Sequence, residues 1–199
     1  MFQPGKYYHL YNHANGFENI FKTEDNYRFF LQKYASYLNP IADTYCYCLM
    51  PNHFHFLIKI REVEEWHFIN NDEVSTKQII VNPEKKISQQ LSNLFNSYAK
   101  SYNKAYQRKG SLFIQNIKKK EIISTEYFTN LIHYIHNNPV HHGFVTKIED
   151  WNWSSYATLI NNNNSPLKIN ETLNWFIDKN SFVDFHKHPC HTVTPIEFE

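Results

Sequence analysis

Cys48-Leu49-Met50-Pro51-Asn52-His53-Phe54-His55-Phe56-Leu57-Ile58-Lys59-Ile60 reads as two strands meeting at a tight turn. Before the turn, Tyr45, Tyr47 and Leu49 alternate with Cys46, Cys48 and Met50. Pro51-Asn52 is turn chemistry, since proline presets one backbone angle and asparagine bonds its own backbone. After the turn, Phe54, Phe56, Ile58 and Ile60 fall on one face, because strand side chains alternate with period two. His53 and His55 therefore share the other face. Two imidazoles on a stiff strand can hold one divalent cation without ordering a loop. An isolated pair of this kind more often only packs or hydrogen-bonds. Here the apolar far face holds the strand rigidly, as a site requires.

Working outward, Lys6 to Asn12 alternates and is aromatic, which predicts a first strand ended by Asn15-Gly16. Residues 24–38 carry Tyr27, Phe30, Leu31 and Tyr34 at helical spacing, with Thr23 or Asp25 as cap and Asn39-Pro40 as stop. The hairpin strands are expected at about 43–50 and 53–60. Residues 62–83 hold Glu62, Glu64, Glu65, Asp72 and Glu73 without apolar period, and read as an acidic insertion. Residues 84–107 predict a long helix, with Ile87, Leu91, Leu94, Phe95 and Tyr98 as its stripe. Two short strands are expected at 111–114 and 117–123. A last strong helix begins near Ser124 and ends before Pro139, with Phe128, Leu131, Ile132 and Ile135 inward. The aromatic segment 151–160 folds back on the core, giving a domain over 1–160. Residues 161–199 form a linker and a small helical tail, and the tail's His186, His188, Cys190 and His191 fit no common metal spacing. Interleaved strands and helices around an antiparallel hairpin predict an α+β protein with helices on one face of the sheet.

Composition narrows the function classes. The 199 residues are enough for one domain with a real core, and 16 Phe, 14 Tyr and 4 Trp argue against low-complexity disorder. The net charge of +1 says nothing about partners. The three cysteines are an odd number, and Cys46 and Cys48 are poorly placed for a disulfide, so a reducing, cytoplasmic protein is expected. The first residues do not begin a signal peptide, and no apolar run approaches the length of a membrane span.

Two further constellations carry chemistry. Lys100, Lys104, Arg108, Lys109, Lys118, Lys119 and Lys120 occur in a stretch without a single acidic residue, interleaved with Tyr98, Tyr102, Tyr106 and Phe113. Basic groups follow phosphates, and aromatic faces stack on unpaired bases, so the stretch points to single-stranded nucleic acid. A plain solvated helix face would carry lysines too, but not so complete an exclusion of Asp and Glu. On the last helix, Tyr134 and Asn138 are four apart and stack on one face. A tyrosine hydroxyl can attack phosphorus when a metal polarises the phosphate, and an amide oxygen one turn away can be that metal's third ligand. Position alone does not single out Tyr134 among fourteen tyrosines.

Met50-Pro51-Asn52-His53-Phe54-His55-Phe56-Leu57-Ile58 resembles the His-hydrophobic-His motif of single-tyrosine transposases of the IS200 type, nearest the subgroup associated with repetitive extragenic palindromes. Tyr8-His9-Leu10-Tyr11-Asn12-His13 resembles the first strand of that group. Asn96 to Asn103 followed by Lys109-Gly110-Ser111-Leu112-Phe113 resembles its basic helix and turn, and Tyr134-Ile135-His136-Asn137-Asn138-Pro139-Val140 its nucleophile helix. Trp153-Ser154-Ser155-Tyr156 resembles the segment that follows. The motifs occur in the expected order over about residues 5–160. The resemblance implies a ferredoxin-like core and Mg²⁺- or Mn²⁺-dependent cleavage of single-stranded, hairpin-containing DNA. It makes His53, His55 and Asn138 the metal ligands and Tyr134 the nucleophile. The product would be a 5′-phosphotyrosine and a free 3′-hydroxyl, and the resemblance leaves a homodimer open. Two other functions compete. A histidine-triad hydrolase needs a third histidine where Leu57 stands. A non-catalytic single-strand binder on a ferredoxin-like sheet explains the lysines and aromatics but not the histidine pair with Tyr134.

Overall fold

The computed structural model describes residues 2–68, 80–161 and 165–188. Strands β1 (Tyr7–His13), β2 (Ala42–Met50), β3 (His53–Ile60) and β4 (Lys118–Glu121) form one sheet in the order β2-β3-β1-β4. Every neighbouring pair is antiparallel. Helix α1 (Glu24–Leu38) joins β1 to β2, and α2 (Pro83–Ala105) joins β3 to β4. This βαββαβ path is the ferredoxin-like motif. Helix α3 (Thr125–His141) follows, then α4 (Tyr156–Asn161), α5 (Ile169–Asn174) and α6 (Lys179–Lys187).

The sheet is covered on both faces, not on one as the residue pattern suggests. Tyr8, Leu10, Leu49, Phe54, Phe56, Ile58 and Ile60 form one core with Phe30 and Tyr34 of α1 and Leu91, Leu94 and Tyr98 of α2. Cys46, Cys48, Met50 and Leu57 form a second with Phe128, Leu131, Ile132 and Ile135 of α3 and Phe182 of α6. Burying a residue such as Phe54 or Phe128 is worth roughly 1.5–3 kcal/mol. A bulge between Thr44 and Cys46 breaks the expected alternation of β2. It sends Tyr45 and Cys46 into the same core, where simple period two would separate them.

Local chemistry accounts for most boundaries. Thr23 and Asn26 form a capping box at the start of α1, and Ser124 Oγ accepts from the Tyr127 amide at the start of α3. Pro139 lies within α3 and does not stop it. It falls in the last turn, where little helix remains to disrupt, and the chain closes with His142 and Phe144 amides donating to the Asn138 and Pro139 carbonyls. Among the described residues only one strand, β4, follows α2. Residues 111–114 form no strand and pair with the chain beyond β1 only as an isolated bridge between Ala14 and Phe113. The exposed edge of β2 is covered by residues 153–155, whose backbone bonds with Tyr47 and Leu49. The acidic insertion includes a short 3-10 turn, Val63–Glu65, and its residues 69–79 lie outside the described chain.

The tail does not behave as a separate polar appendage. Thr172, Phe176, Phe182 and His186 are buried, and Trp175 stacks on Phe128 at 4.3 Å. His186 Nε2 lies 3.0 Å from His136 Nδ1, and His136 Nε2 lies 2.8 Å from Ser155 Oγ. Cys190 and His191 lie outside the described residues.

Candidate active site

Period two across an antiparallel sheet puts directly opposed residues on the same side. Lys118, Tyr11, His55 and Cys48 therefore make one row, and His13, His53 and Met50 the next. His9 and Lys120 stand opposite each other one row further on. This face receives α3, and α3 packs on β2 and β3. The helix lays Tyr134 and Asn138, one turn apart, over the histidine strand. The ring of Tyr134 meets His55 edge-on, with centroids 5.4 Å apart. Asn138 Oδ1 is 2.9 Å from His53 Nε2. All four proposed catalytic and metal-holding residues thus converge, and all are buried, with Tyr134 the most open at 8%. The sequence places that tyrosine on an amphipathic boundary, yet its ring is nearly enclosed.

The electrostatics favour neutral imidazoles. Burial pushes His53 down to about 4, against a smaller opposing pull from its contact with Asn138. Burial, aided by neighbouring histidines, holds His55 well below the ordinary histidine range. At neutral pH both rings carry a free lone pair, as a metal ligand must. Cys46 and Cys48 are pushed well above the usual thiol range by burial, so they are inert packing groups.

The donor set fits a divalent cation. Two ligands at about 2.1 Å on adjacent octahedral positions lie about 3.0 Å apart, and His53 Nε2 and Asn138 Oδ1 are 2.9 Å apart. His53 Nδ1 lies 2.8 Å from Asn52 Oδ1. A neutral ring has one N–H for these two amide oxygens, and a cation removes the conflict at Nε2. His55 Nε2 is buried without a hydrogen-bond partner among the described residues. Such an orphan costs about 1–3 kcal/mol and marks a place where a ligand belongs. The set is two imidazoles and an amide. No group of three His, Cys, Asp or Glu side chains suited to a metal occurs among the described residues.

Three residues of this site have no role assigned by sequence reasoning. His9 Nε2 lies 2.9 Å from His55 Nδ1, His13 stacks on His53 at 4.7 Å, and His142 meets His53 edge-on at 5.2 Å. The available signal is the spacing of His9, Tyr11 and His13 at every second residue of β1, which puts all three on the face of His53 and His55.

The basic stretch is divided by the fold. Lys118 and Lys120 are exposed and share the site face. Lys100 and Lys104 are exposed on α2, which packs on the opposite face, and Lys109 is exposed in the following loop. Lys119 points away from the site, its ammonium 4.2 Å from the Phe2 ring centroid. Arg108 is tied into its own turn. It pairs with Glu18 and donates to Asn103 Oδ1 and to the Gly110 and Ser111 carbonyls. A cleft of about 930 Å³ between α2 and residues 110–117 includes Ser92, Phe95, Asn96 and Gln115 in its lining, but none of His53, His55, Tyr134 or Asn138. None of the described helices is long and apolar enough to cross a membrane.

No protein-family model matches the chain. A Haemophilus influenzae protein that carries the name REP-associated tyrosine transposase is 25% identical over 114 residues, which is 57% of this chain and 58% of that protein. The match thus spans little more than half of the relative. A solved structure of a REP-associated tyrosine transposase bound to a REP hairpin superposes with a TM-score of 0.55 at 16% identity, over 81% of this chain and 82% of the other. In sequence and in fold alike, this chain is similar to the IS200-like, REP-associated tyrosine transposases.

Proposed function

We propose that the protein is a single-stranded DNA endonuclease and strand transferase that works through Tyr134. The observation that carries this reading is the placement of α3: one helix sets a tyrosine against His55 and an amide against His53. A merely packed histidine pair would not call for both. The Tyr134 oxygen would attack a backbone phosphorus, forming the Tyr–phosphate bond as the bond to the 3′-oxygen breaks. The 5′-phosphate stays on the enzyme and the 3′-hydroxyl is freed. Attack by another 3′-hydroxyl reverses the step, so strands rejoin without external energy.

His53, His55 and Asn138 would hold Mg²⁺ or Mn²⁺, and two nitrogen ligands tilt the preference toward Mn²⁺. When bound, the cation supplies Lewis-acid polarisation of the phosphate. The protein's own part is positional. The sheet would hold the imidazoles, α3 would present Tyr134 one turn from Asn138, and Lys118 and Lys120, which share that face, would meet phosphates leading to it. The solved relative bound to a REP hairpin makes hairpin-containing single-stranded DNA the first substrate to try. The test is incubation with such DNA and Mn²⁺, followed by denaturing electrophoresis and mass mapping. A covalent adduct on Tyr134 is expected. Binding with no adduct and no metal dependence would instead favour a non-catalytic single-strand binder.

A further inference from the structure

We propose that the cleft between α2 and residues 110–117 is a reading pocket for unpaired bases of the strand that Tyr134 cleaves, with Asn96 and Gln115 as its selecting residues. This inference rests on the reading of the protein as a single-stranded DNA nuclease. The cleft measures about 930 Å³, toward the upper end of the range for small-molecule sites. Its lining contains no ionisable side chain, although the sequence around it is rich in lysine. Four amides, Asn15, Asn96, Gln115 and Asn116, line it instead. All four are exposed, and among the described residues none makes a side-chain hydrogen bond. Phe95 and Phe113 also line it, their rings edge-on with centroids 5.1 Å apart.

That inventory describes the ligand. A phosphate would call for Lys or Arg in the lining. An amide sets a donor beside an acceptor, the pattern that a base presents on its edges, and aromatic rings receive the plane of a base. Lys100 lies one helical turn past Asn96, and Lys109 adjoins Gly110. Both are exposed, so the phosphates of a held strand would meet cations that the site face leaves unused. The cleft wall is pinned to the end of β1. The Asn15 amide donates to the Leu112 carbonyl, the Ile114 amide to the His13 carbonyl, and Asn12 Nδ2 to the Ile114 carbonyl. The ring of the same His13 stacks on His53 at 4.7 Å. One residue thus has its carbonyl on the cleft wall and its ring in the active site, and a strand crossing the end of β1 would pass from one to the other.

The test uses a DNA hairpin with single-stranded flanks, each flank position made abasic in turn. Fluorescence anisotropy in chelator separates binding from cleavage. Wild type should show a short run of positions where loss of the base weakens binding by about 10-fold. Asn96→Ala with Gln115→Ala should weaken binding of the intact strand to a similar degree and make those same positions indifferent. The salt slope should stay unchanged, because no phosphate contact is lost. A merely structural role would lower affinity without erasing the pattern. Wild type with no sensitive position would overturn the proposal, and so would a double variant that keeps the wild-type pattern. If Tyr134 forms its adduct but no flank position is sensitive, the pocket fails while the nuclease reading stands. If the variant erases the pattern but wild type forms no adduct with Mn²⁺, the nuclease reading fails while the pocket stands. Both side chains are exposed, so the variants should fold, which circular dichroism checks. Each single variant carries the same comparison should the double variant misfold.

Discussion

Asn138 Oδ1 lies 2.9 Å from His53 Nε2 across a separation of 85 residues. This contact ties the end of α3 to the turn of the β2–β3 hairpin. Asn138→Ala should weaken Mn²⁺ binding by about 10-fold or more, since it removes one ligand of three while leaving the imidazoles in place. His55→Ala should abolish DNA cleavage and retain much of the DNA binding. Titration calorimetry and a cleavage assay with and without chelator check both. Full cleavage in excess chelator would defeat the metal assignment.

Tyr134→Phe removes one oxygen and keeps the ring against His55. Fold and DNA binding should survive, while cleavage and the covalent band on a denaturing gel vanish together. Tyr127 lies two helical turns earlier, its ring under the Lys120 ammonium. Tyr127→Phe should keep both activities. An adduct that persists in Tyr134→Phe, or maps to Tyr127, would place the nucleophile elsewhere.

The two groups of basic residues should separate experimentally. On a single strand, log affinity falls with log salt by about 0.7 per phosphate contact. Lys118→Ala with Lys120→Ala should flatten that slope by roughly one to two contacts, more than Lys100→Ala with Lys104→Ala. Arg108→Ala should act differently, lowering the melting temperature because Glu18 and two carbonyls lose their partner. Fluorescence anisotropy across a salt series and thermal melts distinguish these cases.

Stability should depend on pH through the buried histidines. Burial pushes His186 down to about 3, whereas the unfolded chain has the ordinary value of 6.5. Between these values the unfolded chain binds more protons, so stability rises with pH and this contribution is complete above about 6.5. Urea melts in chelator should show a falling midpoint from pH 7 to pH 5, above most carboxylate titration. His186→Gln should make that fall shallower.

The hairpin was legible because its alternation is strong and its turn residues are specific. The expected strands at 43–50 and 53–60 lie within one residue of those found. The second helical layer was harder to see. Its signal is that both rows of β2 are apolar, Tyr47 and Leu49 on one side and Cys46, Cys48 and Met50 on the other, which suits a strand buried on both faces. Tyr134 and Asn138 could be paired by helical spacing, but their approach to His53 and His55 depends on how α3 crosses the sheet. The approach of His9 to His55 was invisible for a related reason. It requires the register of β1 on β3, and register is a property of pairing, not of either strand alone.

Strand β3 works as a partition, with His53 and His55 facing α3 while Phe54 and Phe56 face α1 and α2. Substitutions along it would be felt one at a time, each on its own side. A change of length would be felt everywhere at once. Inserting or deleting one residue between the turn at Pro51-Asn52 and His55 would exchange the two sides, setting imidazoles into the oily layer and rings of phenylalanine beneath the tyrosine. Along this strand, the spacing of the residues is therefore under tighter physical constraint than their identities.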